Sequence, residues 1–213
     1  MSKSVVIIGK GPSVLSSTKE FIDSFDEVSI CNFPPMEGYE KYIGNKAKYH
    51  FFNSHDPNPY RKEILNKLGL EYIFNTHHTP HDGYKSSFPD HKVEYVRDYG
   101  KKVIPWFKYE YDFDPSAGIQ AFDYFVTRKE FSTIGLAGFD FFKIGEKGYY
   151  FSVKEVQESW KYLFRDFDDE SNRSVPYDKE GTRKRFYCHG PEKSEKYVYD
   201  MIEYYGKELR CRK

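Results

Sequence analysis

Ser4-Val5-Val6-Ile7-Ile8-Gly9-Lys10-Gly11-Pro12-Ser13 is the stretch whose reading decides the fold. A β-branched run ends in two glycines, a proline and a serine, and a helix-compatible stretch follows. This is the pattern of a first parallel strand, a tight turn and a helix start. Helix N-termini present unpaired N–H groups and a partial positive charge, so they bind phosphates and carboxylates. The turn therefore points to a nucleotide-type ligand. It is not a GxxxxGKS/T kinase loop, because Lys10 comes too early, and it lacks the third glycine of GxGxxG.

Outward from this turn, strand and helix patterns alternate. Residues 14–25 read as a helix with Leu15, Ile22 and Phe25 on its apolar face. Strands are expected at 27–32, 47–53 and 70–75, with helices near 39–43 and 61–68. Residues 76–114 are rich in His, Pro, Asp and aromatics, with strand-like pieces at 93–96 and 103–107. Pro115-Ser116-Ala117-Gly118 opens a helix to about 129, with Ile119, Phe122 and Val126 on one face. A buried strand with a polar C-terminal edge follows at 133–140. Residues 143–185 are polar and charged, with a helical piece near 153–164, an acidic loop at Asp166–Glu170 and lid-like composition over 166–181. A short strand is expected at 186–188. An amphipathic helix at 192–205 carries Val198, Met201, Ile202 and Tyr205; Gly206 closes it, and a last strand covers 208–211. The expected architecture is a single α/β domain over residues 1–213. It has a Rossmann-like, mostly parallel sheet flanked by helices and a polar lid segment at about 143–185.

Composition narrows the function. The 213 residues hold 33 Lys plus Arg and 33 Asp plus Glu, so the net charge is zero, unlike the basic excess of a general nucleic-acid binder. Local basic patches at Arg183-Lys184-Arg185 and Arg210-Cys211-Arg212-Lys213 do not change that balance. Tyr (20), Phe (19) and Trp (2) are plentiful, which fits a core built on aromatics or aromatic walls around a ring-shaped ligand. Cys31, Cys188 and Cys211 form neither a disulfide framework nor a metal pattern, so a reduced, cytoplasmic setting is expected. The first strand begins within a few residues of Met1, so no signal peptide is expected. No apolar run approaches the ~20 residues of a membrane span.

In open parallel sheets, ligands bind beyond the C-terminal strand edges. There the sequence places Gly9–Ser13, Asn32, Asn53 and Gly138-Phe139-Asp140. Asn side chains both donate and accept, so they read sugar hydroxyls and base edges. Ser116-Ala117-Gly118 is a second small-residue helix start, serving either as a plain N-cap or as a close approach to a ligand. His189, just before the last helix, has the chemistry of a general base near neutral pH. His77, His78 and His81 cluster, but without the carboxylate partner and helical spacing of a HExxH site. Asp112-Phe113-Asp114 matches the DxD pattern that holds a divalent ion against a diphosphate.

The ordered set resembles glycosyltransferase family 42, the bacterial sialyltransferases of the Campylobacter lipooligosaccharide type. The motifs are Ile8-Gly9-Lys10-Gly11-Pro12-Ser13, Cys31-Asn32, Phe52-Asn53, Ser116-Ala117-Gly118, Leu136-Ala137-Gly138-Phe139-Asp140-Phe141-Phe142, Tyr149-Tyr150-Phe151, and His189 before the last helix. They run over nearly the whole chain. The resemblance implies a modified Rossmann-like sheet with a flexible lid, and metal-independent transfer from CMP-sialic acid with inversion. Carried over by position, Gly11, Asn32, Asn53, Ser116, Gly118 and Gly138 line the donor site, in which Gly9, Lys10, Pro12, Ser13, Ala117, Phe139 and Asp140 are neighbours. His189 takes the proton from the acceptor hydroxyl, and Tyr149 or Tyr150 binds the phosphate of departing CMP.

The chain departs from that pattern in three places. Lys10 stands where the family usually has Asn, and Phe142 where it has the first of two phosphate-binding tyrosines. Asp112–Pro115 replaces a stretch that carries an acceptor-binding Arg. The chain also stops short of the family's C-terminal membrane-associating part. The expected partners are a nucleotide-sugar donor and a glycan acceptor, with no cofactor; peripheral membrane contact and homo-oligomerisation stay open. Two other readings stand beside this one: a metal-dependent transferase using a nucleoside diphosphate sugar through Asp112 and Asp114, and a non-catalytic nucleotide or sugar-phosphate binding module, or a pyrophosphokinase-like protein with a similar opening.

Overall fold

The computed structural model describes residues 2–32, 36–52, 67–76, 90–97, 99–104, 111, 113, 115–141 and 191–211. Among these, seven strands form one sheet: β1 (Lys3–Ile8), β2 (Glu27–Cys31), β3 (Tyr49–Phe52), β4 (Tyr72–Asn75), β5 (Lys92–Tyr95), β6 (Phe131–Ala137) and β7 (Glu208–Cys211). Their order is β5-β4-β3-β2-β1-β6-β7, and every pairing is parallel. The sheet thus agrees with the Rossmann-like expectation. Strand order reverses between β1 and β6, which makes the crevice above their C-terminal ends the natural ligand position.

The apolar alternation of β1 builds both faces of the sheet, because successive side chains point to opposite sides. Val6 and Ile8 enter one core with Val28, Ile30, Ile22 and Phe25. Val5 and Ile7 enter the other with Phe51, Phe74, Phe122 and Phe125. This second core is where the aromatics go: Phe51 stacks on Phe74 at 4.5 Å, and Phe74 meets Tyr124 at 4.5 Å.

The helices are α1 (Lys19–Asp23), α2 (Glu40–Ile43), α3 (Tyr99–Val103), α4 (Ala117–Val126) and α5 (Pro191–Tyr205). The continuous helix expected over 14–25 is instead two pieces. A five-residue 3₁₀ helix, Pro12–Ser16, ends at extended Ser17, and Thr18 restarts the chain by capping the Phe21 N–H at 3.2 Å. The Ser16-Ser17-Thr18 run explains the break, since these side chains compete for backbone groups and favour caps over helix interiors. The break also changes phase: Val14 is buried, and Leu15, expected on the apolar face, is 41% exposed. Val103, read as the start of a strand, ends α3. Helix α5 closes as expected after Tyr205: the Gly206 and Lys207 N–H groups donate to Glu203 and Ile202 carbonyls at 3.1 and 2.9 Å. The pieces expected at 61–66, 105–107, 153–164 and 186–188, and the lid at 143–185, lie outside the described residues. No helix among those described is long and apolar enough to cross a membrane.

The end of the sheet away from the crevice is closed by a buried carboxylate. Glu27 accepts from Lys3 at 2.8 Å, Lys48 at 2.9 Å and the Tyr49 hydroxyl. Burial alone raises its pKa, but these three donors outweigh burial and hold the carboxyl below its ordinary value. A depressed folded pKa contributes stability above the unfolded value and loses it as pH falls. Glu27→Ala is expected to cost about 1–3 kcal/mol near neutral pH, because it strands the buried Tyr49 hydroxyl. Urea unfolding should show the difference from wild type shrinking as pH drops below 4.5, the group's ordinary value.

Candidate active site

The crevice is assembled from four separate segments. The turn after β1 supplies Gly9, Lys10, Gly11, Pro12 and Ser13. Asn32 follows β2 in the left-handed region, at φ 54°, with its N–H bound to the Phe51 carbonyl at 2.9 Å. The turn after β6 supplies Gly138, Phe139 and Asp140. The start of α4 supplies Ser116, Ala117 and Gly118. Gly9, Gly138 and Ala117 are buried, and the others are half-buried, as rim residues must be.

Backbone closeness is what joins the first and third segments. The Gly9 N–H donates to the Ala137 carbonyl at 2.8 Å and the Gly11 N–H to the Gly138 carbonyl at 2.9 Å. A Cβ on Gly9 would lie 2.5 Å from the Gly138 oxygen, so only glycine permits this approach. Gly138 itself has φ 69°, which a residue with a Cβ rarely adopts. The fourth segment is joined through Phe139, whose ring lies against Gly118: a Cβ there would be 3.0 Å from its Cζ.

The opening turn differs from its sequence reading in one respect. Its N–H groups were expected to be free for a phosphate, but they serve the chain itself. The Ser13 N–H donates to Asp140 Oδ2 at 2.9 Å, and the Val14 N–H to the Gly11 carbonyl at 3.1 Å. The carboxylate of Asp140 thus occupies the place at the turn where an anion was expected. At the start of α4, Ser116 acts as N-cap, its hydroxyl accepting from the Ile119 N–H at 3.4 Å.

Positive charge comes instead from Lys10. Burial of its ammonium pulls its pKa down to about 8. Cys31, at the end of the neighbouring strand, is pushed by burial up to about 12, and each group partly offsets the other's shift. A desolvated cation with a pKa near 8 is charged at neutral pH and gains from an incoming anion, because the anion restores what burial removed.

Asn53, Tyr149, Tyr150 and His189 lie outside the described residues, as do Phe142, Asp112, Asp114, His77, His78 and His81. Asn53 directly follows Phe52, the last residue of β3, and His189 lies two positions before Pro191, the first residue of α5. No group of three or more His, Cys, Asp or Glu among the described residues is arranged to hold a metal ion. Sequence reasoning missed Arg97, a buried guanidinium just past β5 whose Nη1 donates to the Thr76 carbonyl at 3.3 Å. It also missed Asp123, buried inside α4. A charged residue on the apolar side of a helix is the signal that marks the latter.

No family model matches the chain, and no curated protein matches it. Solved structures do share its fold. The monofunctional α-2,3-sialyltransferase Cst-I from Campylobacter jejuni superposes with a TM-score of 0.63, at 19% identity over 99% of this chain and 76% of its own. A variant of the sialyltransferase CstII in complex with CMP gives 0.62, at 19% identity, over 99% and 81%. A mammalian sialyltransferase gives 0.56, at 14% identity, over 99% and 68%. The chain therefore has the fold of these sialyltransferases along nearly its whole length, as the motif order implied.

Gly11→Ala tests the closure of the crevice. The new Cβ would overlap Asp140 Oδ2 and lie 2.7 Å from the Gly138 oxygen. Overpacking of about 1–3 kcal/mol is expected, lowering the thermal midpoint by several degrees in a scanning calorimeter.

Proposed function

We propose that the protein is a sialyltransferase-like glycosyltransferase that moves a sugar from a CMP-activated donor, CMP-sialic acid or a relative, to a glycan hydroxyl. The observation that carries this reading is the polar crevice at the strand-order reversal of a fold shared with sialyltransferases. One of those structures holds CMP, and another a trisaccharide acceptor with CMP.

The chemistry suits these residues. His189 takes the proton from the acceptor hydroxyl as its oxygen attacks the anomeric carbon, and CMP departs from the opposite face, which inverts the centre. The leaving group departs as a phosphate monoester, so hydrogen-bond donors and a cation stabilise it without a divalent metal. Tyr149 or Tyr150 donates to that phosphate. Lys10 supplies the cation, compensating for Phe142, which brings no hydroxyl. Asn32, Asn53 and Ser116 read the nucleoside and sugar hydroxyls, while Gly9, Gly11, Pro12, Ser13, Ala117, Gly118, Gly138, Phe139 and Asp140 shape the wall. The free, buried thiol of Cys31 fits a cytoplasmic site of action.

Two measurements test this. In a thermal-shift screen, CMP is expected to stabilise the protein selectively over UDP, GDP and ATP, and His189→Ala to lower CMP release from CMP-sialic acid about a hundredfold or more without weakening CMP binding. Manganese-dependent binding of UDP or GDP that is lost in Asp112→Ala would overturn the donor assignment. CMP affinity is also expected to fall as pH rises above about 8, where Lys10 loses its proton. Isothermal titration of Lys10→Met should give roughly tenfold weaker binding below that pH and little pH dependence above it.

A further inference from the structure

Asp123 sits within α4, yet it is fully buried where α3, α4 and α5 meet. Its Oδ1 accepts the Tyr197 hydroxyl of α5 at 2.6 Å, and Oδ2 has no hydrogen-bond partner among the described residues. Gly100 of α3 faces Oδ2 directly: a Cβ there would overlap that oxygen and lie 2.6 Å from Cγ. On α5, Tyr205 also feels the Asp123 charge, and Tyr99 of α3 stands near Tyr205. Lys101 and Lys102 of α3 are exposed, and Arg128, just past α4, stacks on Tyr124 at 3.5 Å and donates to the Tyr99 hydroxyl. The strand residues beneath α4, Val5, Ile7, Phe51 and Leu136, are apolar. No cation among the described residues pairs with Asp123, and burial pushes its pKa up to about 7 against the smaller pull of the Tyr197 hydrogen bond. An apolar pair of similar shape would fill this space with no unsatisfied oxygen.

The place of this bond in the chain links two parts of the proposed site. Gly118, at the crevice end of α4, precedes Asp123 by five residues, about 7.5 Å of helix. Tyr197 follows His189 by eight residues. A second tie runs from the Tyr111 hydroxyl to the Asp200 carboxylate of α5, and Phe113 meets the Tyr197 ring edge-on at 5.7 Å. Both Tyr111 and Phe113 belong to the stretch that leads into Ser116.

We propose that Asp123 is a positioning residue: by holding the Tyr197 hydroxyl it fixes α5 against α4, and so sets the anchor of the segment carrying His189 relative to the Ser116–Gly118 end of the crevice. This rests on the reading of His189 as the base. Ionisation puts an uncompensated charge into the junction. The seating of α5 therefore loosens as pH rises from 3.8, the ordinary value, towards about 7, and is tightest with Asp123 protonated.

The test uses Tyr197→Phe, which keeps the ring and removes the hydroxyl, and Asp123→Asn, which keeps an acceptor and removes the ionisation. CMP release and backbone hydrogen exchange of α5 are measured from pH 5 to pH 8.5. Tyr197→Phe is expected to lower kcat about tenfold with donor KM nearly unchanged, and to speed exchange in the first turns of α5 about tenfold. Asp123→Asn is expected to flatten the pH dependence of the protection factors, the exchange rates corrected for their pH-dependent intrinsic values. Unchanged exchange in Tyr197→Phe, or a fall in kcat with exchange unaltered, overturns the proposal. Should Tyr197→Phe not fold, Asp123→Asn decides: pH-independent protection factors in α5 support the proposal and a wild-type pH dependence of protection overturns it. Absence of CMP release from the wild type sinks the donor reading instead, and the exchange measurements still decide how α5 is held.

Discussion

Two backbone turns touch above the centre of the sheet, and the crevice depends on that contact. The chain leaving β1 donates both hydrogen bonds to the end of β6, from Gly9 to Ala137 and from Gly11 to Gly138, at distances that admit no side chain between them. Strand order reverses at this point, so helices diverge to the two faces and leave a gap. The Asp140 carboxylate, held by the Ser13 N–H, locks the first turn to the second. The rim is therefore preformed by backbone geometry, with the side chains of Lys10, Asn32 and Ser116 placed along it.

Three carboxylates at low-exposure positions illustrate how differently the fold treats negative charge. Glu27, at the far end of the sheet, is surrounded by donors and stays ionised, so it supports the fold. Asp140 is half-buried, takes one backbone N–H and shapes the rim. Asp123 has a single hydroxyl partner and no cation, and burial wins. The contrast follows the usual division in parallel α/β folds: stability at the N-terminal strand edge and function at the C-terminal edge.

The likeness to sialyltransferases extends over the whole sheet at low sequence identity. A fold shared at this level positions a site without dictating its chemistry. What individualises this chain is Lys10, a desolvated cation beside Cys31. It stands just past the C-terminal end of β1, beside the strand-order reversal.

Much of this architecture was legible in the chain. The β-branched run at Val5–Ile8, the strand-end asparagine at Asn32, the capped start at Ser116 and the closing Gly206 all report local rules of period, cap and turn, and these act over a few residues. The break at Ser17-Thr18 runs against the apolar spacing of residues 14–25, because cap chemistry there outweighs periodicity. By itself the sequence determined the parallel α/β class and the segments that reach the C-terminal edge, since those depend on local periodicity and chain direction. Only the tertiary structure decided that Asp140 fills the first turn, that burial lowers Lys10, and that Asp123 meets Tyr197. Each of these joins residues distant in the chain and depends on desolvation, which has no local signature.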